Sequence, residues 1–149
     1  MHNAAKAKIR HEIDQIDGLI ESFQPLLEIT RTKEPDLVEL SALATVLHSF
    51  YNGIENIFSI IAKQVDRRFP DGMKWHRDLL IQMSESIGNR KAVIGADQYQ
   101  TLLEYLSFRH FFRHSYSYHL DWPQMKSLVN EIDATWDGMK VAIRACIAN

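Results

Sequence analysis

Residues 37–65 read LVELSALATVLHSFYNGIENIFSIIAKQV. Leu37, Leu40, Ala44, Leu47, Tyr51, Ile54, Phe58, Ile61 and Val65 recur in steps of three and four, the period of one helical face. That spacing predicts a helix of about eight turns. Upstream, Ile9, Ile13, Ile16, Ile20, Phe23 and Leu27 keep the same steps and predict a first long helix. Pro25 falls in its last turn, where the missing N–H is expected to kink the helix or end it before Leu27. TRTKEPD at 30–36 breaks the pattern, with Pro35 placed for the first turn of the second helix. Downstream, FPDG at 69–72 reads as a turn, and Trp75, Leu79, Met83 and Ile87 mark a shorter third helix. GNRKAVIGAD at 88–97 reads as a loop. A fourth helix begins near Ala96 and runs through Tyr99, Leu102, Leu103 and Leu106 into RHFFRHSY at 109–116. Asp121 and Gln124 have capping-box spacing for a fifth, flanked by Leu120 and Met125 as a hydrophobic staple. Met125, Leu128, Ile132, Trp136, Met139, Ile143 and Cys146 line its inner face. No segment alternates with period two long enough for a strand. The expected architecture is an all-α bundle of about five helices, four long and one shorter.

Composition narrows the function classes. The chain has 149 residues, 46% hydrophobic and 24% charged, which suits a single globular domain over 1–149. No apolar run approaches the roughly 20 residues that span a bilayer, and MHNAAKAKIRHEIDQ lacks a signal peptide's apolar stretch. Cys146 is the single cysteine, so an internal disulfide and a multi-cysteine zinc site are excluded. A cytoplasmic protein with no membrane partner is the expectation. The formal charge of −2 disfavours broad nonspecific binding of nucleic acid. It leaves room for a local basic pocket.

That pocket would lie at RHFFRHSYSYH, residues 109–119, which hold two arginines, three histidines, two tyrosines and no carboxylate. On a helix at about 100° per residue, Arg109, Arg113 and Tyr116 share one face and His110 and His114 a neighbouring one. Phe108, Phe111 and Phe112 are left to anchor the helix in the core. Arg109 and His114 diverge by roughly 140°. A helix ending near Ser115 would free Tyr116 to turn toward His114, and a helix C-terminus favours a protonated imidazole there. Three readings compete. The stretch can be packing: hydrogen-bonded core histidines, salt-bridging arginines with Glu55 as a carboxylate partner, and satisfied tyrosines. It can be a metal site, with His110 and His114 at i, i+4 and His119 or His76 third. It lacks the glutamate of H-E-x-x-H, and two arginines would repel the cation. Or it can cleave phosphodiesters, since metal-free RNA cleavage needs a base for the 2′-hydroxyl, an acid for the leaving 5′-oxygen and a cation for the phosphorane.

The third reading meets a specific pattern. Arg109-x-x-x-x-His114-x-Tyr116 resembles the R-x-x-x-x-H-x-Y signature of the HepT-like ribonuclease toxins, within the HEPN superfamily of small helical domains. The motif closes the fourth helix just before the fifth. FYNGIENIF and PDGMKWHRDLL resemble the family's second and third helices. The resemblance implies a HEPN-like bundle, with Arg109 and His114 as the catalytic pair. Arg109 would bind the scissile phosphate and His114 would move a proton. It implies that Tyr116 is the hydroxyl to which a minimal nucleotidyltransferase antitoxin attaches AMP; Tyr118 is no motif position. It also implies a homodimer with both motifs facing one cleft, RNA as substrate, and no cofactor or metal. Many relatives carry asparagine after the motif arginine, where this chain has His110.

Around the motif, Arg113 and His110 are expected as auxiliary RNA contacts. His48, Asn52, Glu55 and Ser59 form a polar stripe on the second helix, a solvated or interface face from which Glu55 could orient Arg109. Trp75, His76 and Arg77 could stack on a base, although Trp75 also fits the core stripe. The leading expectation is a metal-independent endoribonuclease toxin silenced by AMP on Tyr116. Its rivals are a non-catalytic helical substrate-binding partner of a minimal nucleotidyltransferase and a structural dimeric bundle.

Overall fold

A computed structural model describes residues 1–116 and 119–148. Among these are six α-helices and no strand: α1 Asn3–Ile29, α2 Leu37–Ile61, α3 Trp75–Met83, α4 Ala96–Arg113, α5 Trp122–Asn130 and α6 Ile132–Ala148. The expected fifth helix is thus two helices, parted at Glu131 (φ −100°, ψ 2°). The break is slight, because the Glu131 N–H still donates to Ser127 O at 3.0 Å and Glu131 O accepts from Thr135 N–H at 2.8 Å.

The centre of the bundle is α2, which packs against α1, α3, α4 and α5. Its apolar residues are buried on more than one face, from Leu40 and Leu43 to Phe58 and Ile61. Its start is an Asp36/Glu39 capping box, with each residue's side chain accepting from the other's backbone N–H. Pro35 therefore precedes the cap rather than entering the first turn. At its far end α2 loosens into a π turn, Ala62–Asp66, and Arg67 reverses the chain with φ 56°. The α1–α2 crossing is close at Gly53: a Cβ there would lie 2.6 Å from Ile16 Cγ1, so no larger residue fits unshifted.

Three local expectations give way to tertiary geometry. The first helix runs through Pro25 to Ile29. Pro25 and Glu21, whose carbonyl loses its donor, are both exposed, so water can take up the freed carbonyl while Leu27 stays buried. The third helix stops at Met83, and Ile87 sits in the following loop, paired with Arg90 in an isolated bridge. Asp121 makes no side-chain cap. Pro123 has no N–H to offer, and the Gln124 N–H goes to the Asp121 carbonyl at 3.2 Å.

The loop before α4 is pinned by Arg90. Its Nε and Nη2 donate to Asp66 Oδ1 and Oδ2 at 2.6 and 2.7 Å, and both terminal nitrogens reach backbone carbonyls of Gln82, Glu85 and Lys91. The Gln82 amide donates to the same carboxylate at 2.9 Å. Opposite, Trp136 Nε1 and Lys140 Nζ donate to Asp17, tying α6 to α1. Among the described residues no helix is long and apolar enough to cross a membrane.

Candidate functional site

The polar stripe of α2 becomes the floor of a site because two other helices lay polar side chains across it. His48, Asn52 and Glu55 stand one turn apart on one face. From α4, Arg109 donates through Nε to Asn52 Oδ1 at 2.9 Å. The Asn52 amide nitrogen then lies 3.2 Å from His48 Nε2. An amide whose oxygen is held by a guanidinium has only its N–H2 left to give, so His48 Nε2 accepts. Its proton is then on Nδ1, which is buried with no partner. Burial, and after it the charges of Arg109 and Arg113, hold the His48 imidazole below its ordinary range. The ring lies against Phe112, centroids 5.3 Å apart.

One turn along, the buried Glu55 carboxylate meets His76 Nδ1 at 2.8 Å. His76 comes from the first turn of α3 and stacks on Trp75 at 3.6 Å. Trp75 is only partly buried against the core. Tyr51, buried next to Asn52 in the chain, feels both Glu55 and Arg109. Burial above all drives its hydroxyl up, Glu55 adds to the rise, and Arg109 opposes it. Both charges therefore act on one buried phenol.

Glu55, the expected orienting residue, makes no direct bond to Arg109. Its carboxylate is taken by His76, and Asn52, one turn earlier, holds Arg109. A neutral amide there leaves the guanidinium's charge uncancelled. Among the described residues Arg109 has no carboxylate partner, and its Nη1 and Nη2 have no hydrogen-bond partner.

The end of α4 carries the other expected residues. Arg113 is the last helical residue and exposed, and His114 is the C-cap, its N–H donating to Phe111 O at 3.1 Å. The His110 and His114 rings touch, with centroids 4.5 Å apart, as their i, i+4 spacing predicts. Phe108 is buried, Phe112 partly buried, and Phe111 looks outward, 36% exposed. No hydrogen bond links Arg109 with His114. Tyr116 lies beyond the helix, 72% exposed, its ring edge-on to His119 with centroids 6.0 Å apart. It does not share a helical face with Arg109 and Arg113, because the helix that would place it there ends three residues earlier. Tyr118 lies outside the described residues.

Among the described residues no three His, Cys, Asp or Glu side chains are grouped to hold a metal ion. Of the thirds weighed for His110 and His114, His76 Nδ1 is engaged by Glu55 and the His119 ring by Tyr116. Two surface hollows flank the helices, the second bordering the basic stretch at Phe111. One of about 510 Å³ is lined by Val65, Arg90, Val93 and Cys146, and one of about 480 Å³ by Leu103, Phe108, Phe111 and Leu128. Neither is lined by His48, Asn52, Arg109, Arg113 or His114. At the stripe Arg109 presents a guanidinium held through Nε, with no carboxylate partner among the described residues, which suits an anionic ligand.

Asn52 and His76 are the residues whose roles sequence reasoning missed. The four-three spacing placed Asn52 on the right stripe, but nothing local could say which neighbour would lie across it. A family model described as HepT-like protein matches residues 42–149. No curated protein and no solved structure matches the chain.

Proposed function

The chain belongs to the HepT-like family, and on that premise we propose that it is a metal-independent endoribonuclease, the toxin of a toxin–antitoxin pair. One observation carries the reading: Arg109 is held through Nε by Asn52, with both terminal nitrogens and the full charge left for a ligand. A guanidinium presented this way matches two oxygens of a phosphodiester. In the reaction the 2′-oxygen attacks phosphorus, the P–O5′ bond breaks, and the products are a 2′,3′-cyclic phosphate and a 5′-hydroxyl. Arg109 stabilises the phosphorane as its charge develops. His114, at the positive-charge-favouring end of α4, gives the proton to the leaving 5′-oxygen. Arg113 and His110, both exposed beside it, extend the cationic surface along the RNA.

The chain acts as one domain over 1–149: α1, which lies wholly before the matched span, packs on α2. Two copies form a symmetric dimer that brings both basic stretches into one cleft, which suits a site that is open in the single chain. A minimal nucleotidyltransferase is the antitoxin, and it transfers AMP to Tyr116. The exposure of that phenol, two residues from His114, suits such a transfer. Each AMP phosphate would compete with RNA for Arg109 and Arg113.

A second reading has its own support. The exposure of His114 and its lack of any bond to Arg109 also fit a non-catalytic substrate-binding partner of the nucleotidyltransferase. The test is cleavage of RNA by the purified chain in EDTA, with product ends identified. Activity ending in 2′,3′-cyclic phosphates, lost in Arg109→Ala and His114→Ala, is the expected result. RNA bound but uncut by the unaltered chain supports the adaptor. Mass spectrometry after incubation with the partner and ATP then checks the control. AMP belongs on Tyr116, and Tyr116→Phe should escape silencing.

A further inference from the structure

The reaction just proposed needs two proton transfers, and His114 supplies one. The other group must hold a lone pair near the nucleotide whose phosphate sits on Arg109. His110 is a poor candidate, because it is exposed and has no hydrogen-bond partner among the described residues to orient it. Another imidazole meets the need better. A carboxylate only accepts hydrogen bonds, so the 2.8 Å contact from Glu55 Oε2 to His76 Nδ1 fixes the proton on Nδ1. The lone pair is then on Nε2, which has no hydrogen-bond partner among the described residues. It is not buried either, since the one buried orphan atom among them is His48 Nδ1. Trp75, stacked on the ring at 3.6 Å, fixes its plane. Glu55 is buried, its side chain only 9% exposed, and would stabilise the imidazolium formed when Nε2 takes a proton.

Position completes the argument. Asn52 anchors Arg109 and Glu55 anchors His76, three residues apart on one face of α2, with about 5–6 Å between the anchoring Cβ atoms. A ribose 2′-hydroxyl and the phosphate it attacks belong to one nucleotide, so a base and a phosphate clamp must be carried by neighbouring supports, as the adjacent turns of α2 carry these two.

Resting on the ribonuclease reading above, we propose that His76, held by Glu55, is the general base that activates the 2′-hydroxyl. Nε2 removes the 2′-hydroxyl proton as the 2′-oxygen bonds to phosphorus, and His114 protonates the 5′-oxygen as the P–O5′ bond breaks. Glu55 is a positioning residue, since it touches His76 and not the RNA.

The two histidines are separated by an RNA that carries sulfur in place of the leaving 5′-oxygen. A thiolate leaves without an acid but still needs the attacking oxygen activated. His76→Gln keeps an amide donor for Glu55, so the buried carboxylate stays partnered, and thermal unfolding verifies the fold. On ordinary RNA, His76→Gln and His114→Ala should each lower kcat by about a hundredfold or more, with KM little changed. On the sulfur-substituted RNA, His114→Ala should recover most of its rate and His76→Gln should not. Glu55→Gln, which keeps the hydrogen bond and removes the charge, should slow both substrates by a smaller factor. A folded His76→Gln with unchanged kcat on both RNAs overturns the proposal, and so does its recovery on the sulfur-substituted one. Equal rates for Glu55→Gln and the unaltered chain overturn the part given to the carboxylate. If the unaltered chain shows no cleavage dependent on Arg109 and His114, the ribonuclease reading itself falls, and this assignment with it.

Discussion

Arg90 and Arg109 carry the same side chain and are used in opposite ways. Every nitrogen of the Arg90 guanidinium is bonded, to Asp66 and to three backbone carbonyls, and the side chains of the pair are 6% and 0% exposed. Arg109 spends one nitrogen on a neutral amide and meets no carboxylate among the described residues. The first arrangement satisfies a charge so that a loop can be closed over it. The second holds a charge in position without neutralising it, as the proposed phosphate contact requires. The two arginines differ above all in remaining hydrogen-bonding capacity.

The largest effect should come from breaking the satisfied side of the comparison. Arg90→Met would leave Asp66 and Gln82 facing an apolar chain, with a fully buried carboxylate unpaired. Losing one member of a buried ion pair typically costs about 3–5 kcal/mol. Urea unfolding should show a loss of that size, whereas a change near zero would mean that Asp66 reaches water once Arg90 is gone.

Arg109→Ala should do the reverse. Asn52 is partly exposed and can turn to water, so the melting temperature should barely move, while RNA cleavage falls by about a hundredfold or more. His114→Ala should match it, and His110→Ala should lose far less. Equal, mild losses in all three would point to a diffuse basic surface with no catalytic centre.

How much of this was legible in the sequence follows the same division. Period carried α1, α2 and α4, because their buried faces repeat every three or four residues along the chain. The family was legible from the types and spacing of Arg109, His114 and Tyr116. Partners distant in sequence were not: Asp66 and Arg90 lie 24 residues apart, and no local pattern joins a helix end to a loop. Glu55 and Asn52 are both polar on one stripe, and only the placing of α3 and α4 decides that the acid takes His76 and the amide takes Arg109. Tyr116 shows the limit at a helix end. Its expected face assumed a helix continuing to 116, but α4 stops at Arg113. Pro123 cancelled the Asp121 cap although Asp121 and Gln124 had the right spacing, because the motif counts side chains and ignores which N–H groups exist.

A smaller effect should sharpen the positioning half of the comparison. Asn52→Ala removes the one bond that orients Arg109 and leaves its charge in place. A hydrogen bond to a charged group is worth about 1.5–3 kcal/mol, so kcat should drop by about tenfold or somewhat more while binding of RNA persists. An Asn52→Ala variant with unchanged kcat would mean that bound RNA orients the guanidinium unaided.

The smallest effect concerns His48, the residue that bears the cost of keeping Arg109 charged. Its Nε2 accepts from Asn52, its Nδ1 is an orphan, and Phe112 covers its ring. Burial first, then Arg109 and Arg113, hold its folded-state pKa below the ordinary histidine value, so the folded chain keeps this imidazole neutral. The unfolded chain has no such restraint and takes up the proton near pH 6.5, the usual value for a free histidine, or roughly so. Lowering the pH through that value therefore favours unfolding. The stability tied to neutral His48 is fully present above about pH 6.5 and declines as pH falls toward the depressed folded value. His48→Gln keeps an acceptor for Asn52 and cannot titrate. Urea unfolding of both proteins at about pH 7.5 and about pH 5.5 isolates the term, since the other histidines contribute alike to each. The unaltered chain should lose more stability than His48→Gln between the two conditions. Parallel losses would mean that His48 accepts its proton in the folded state, and that the two arginines beside it are better screened than their lack of carboxylate partners implies.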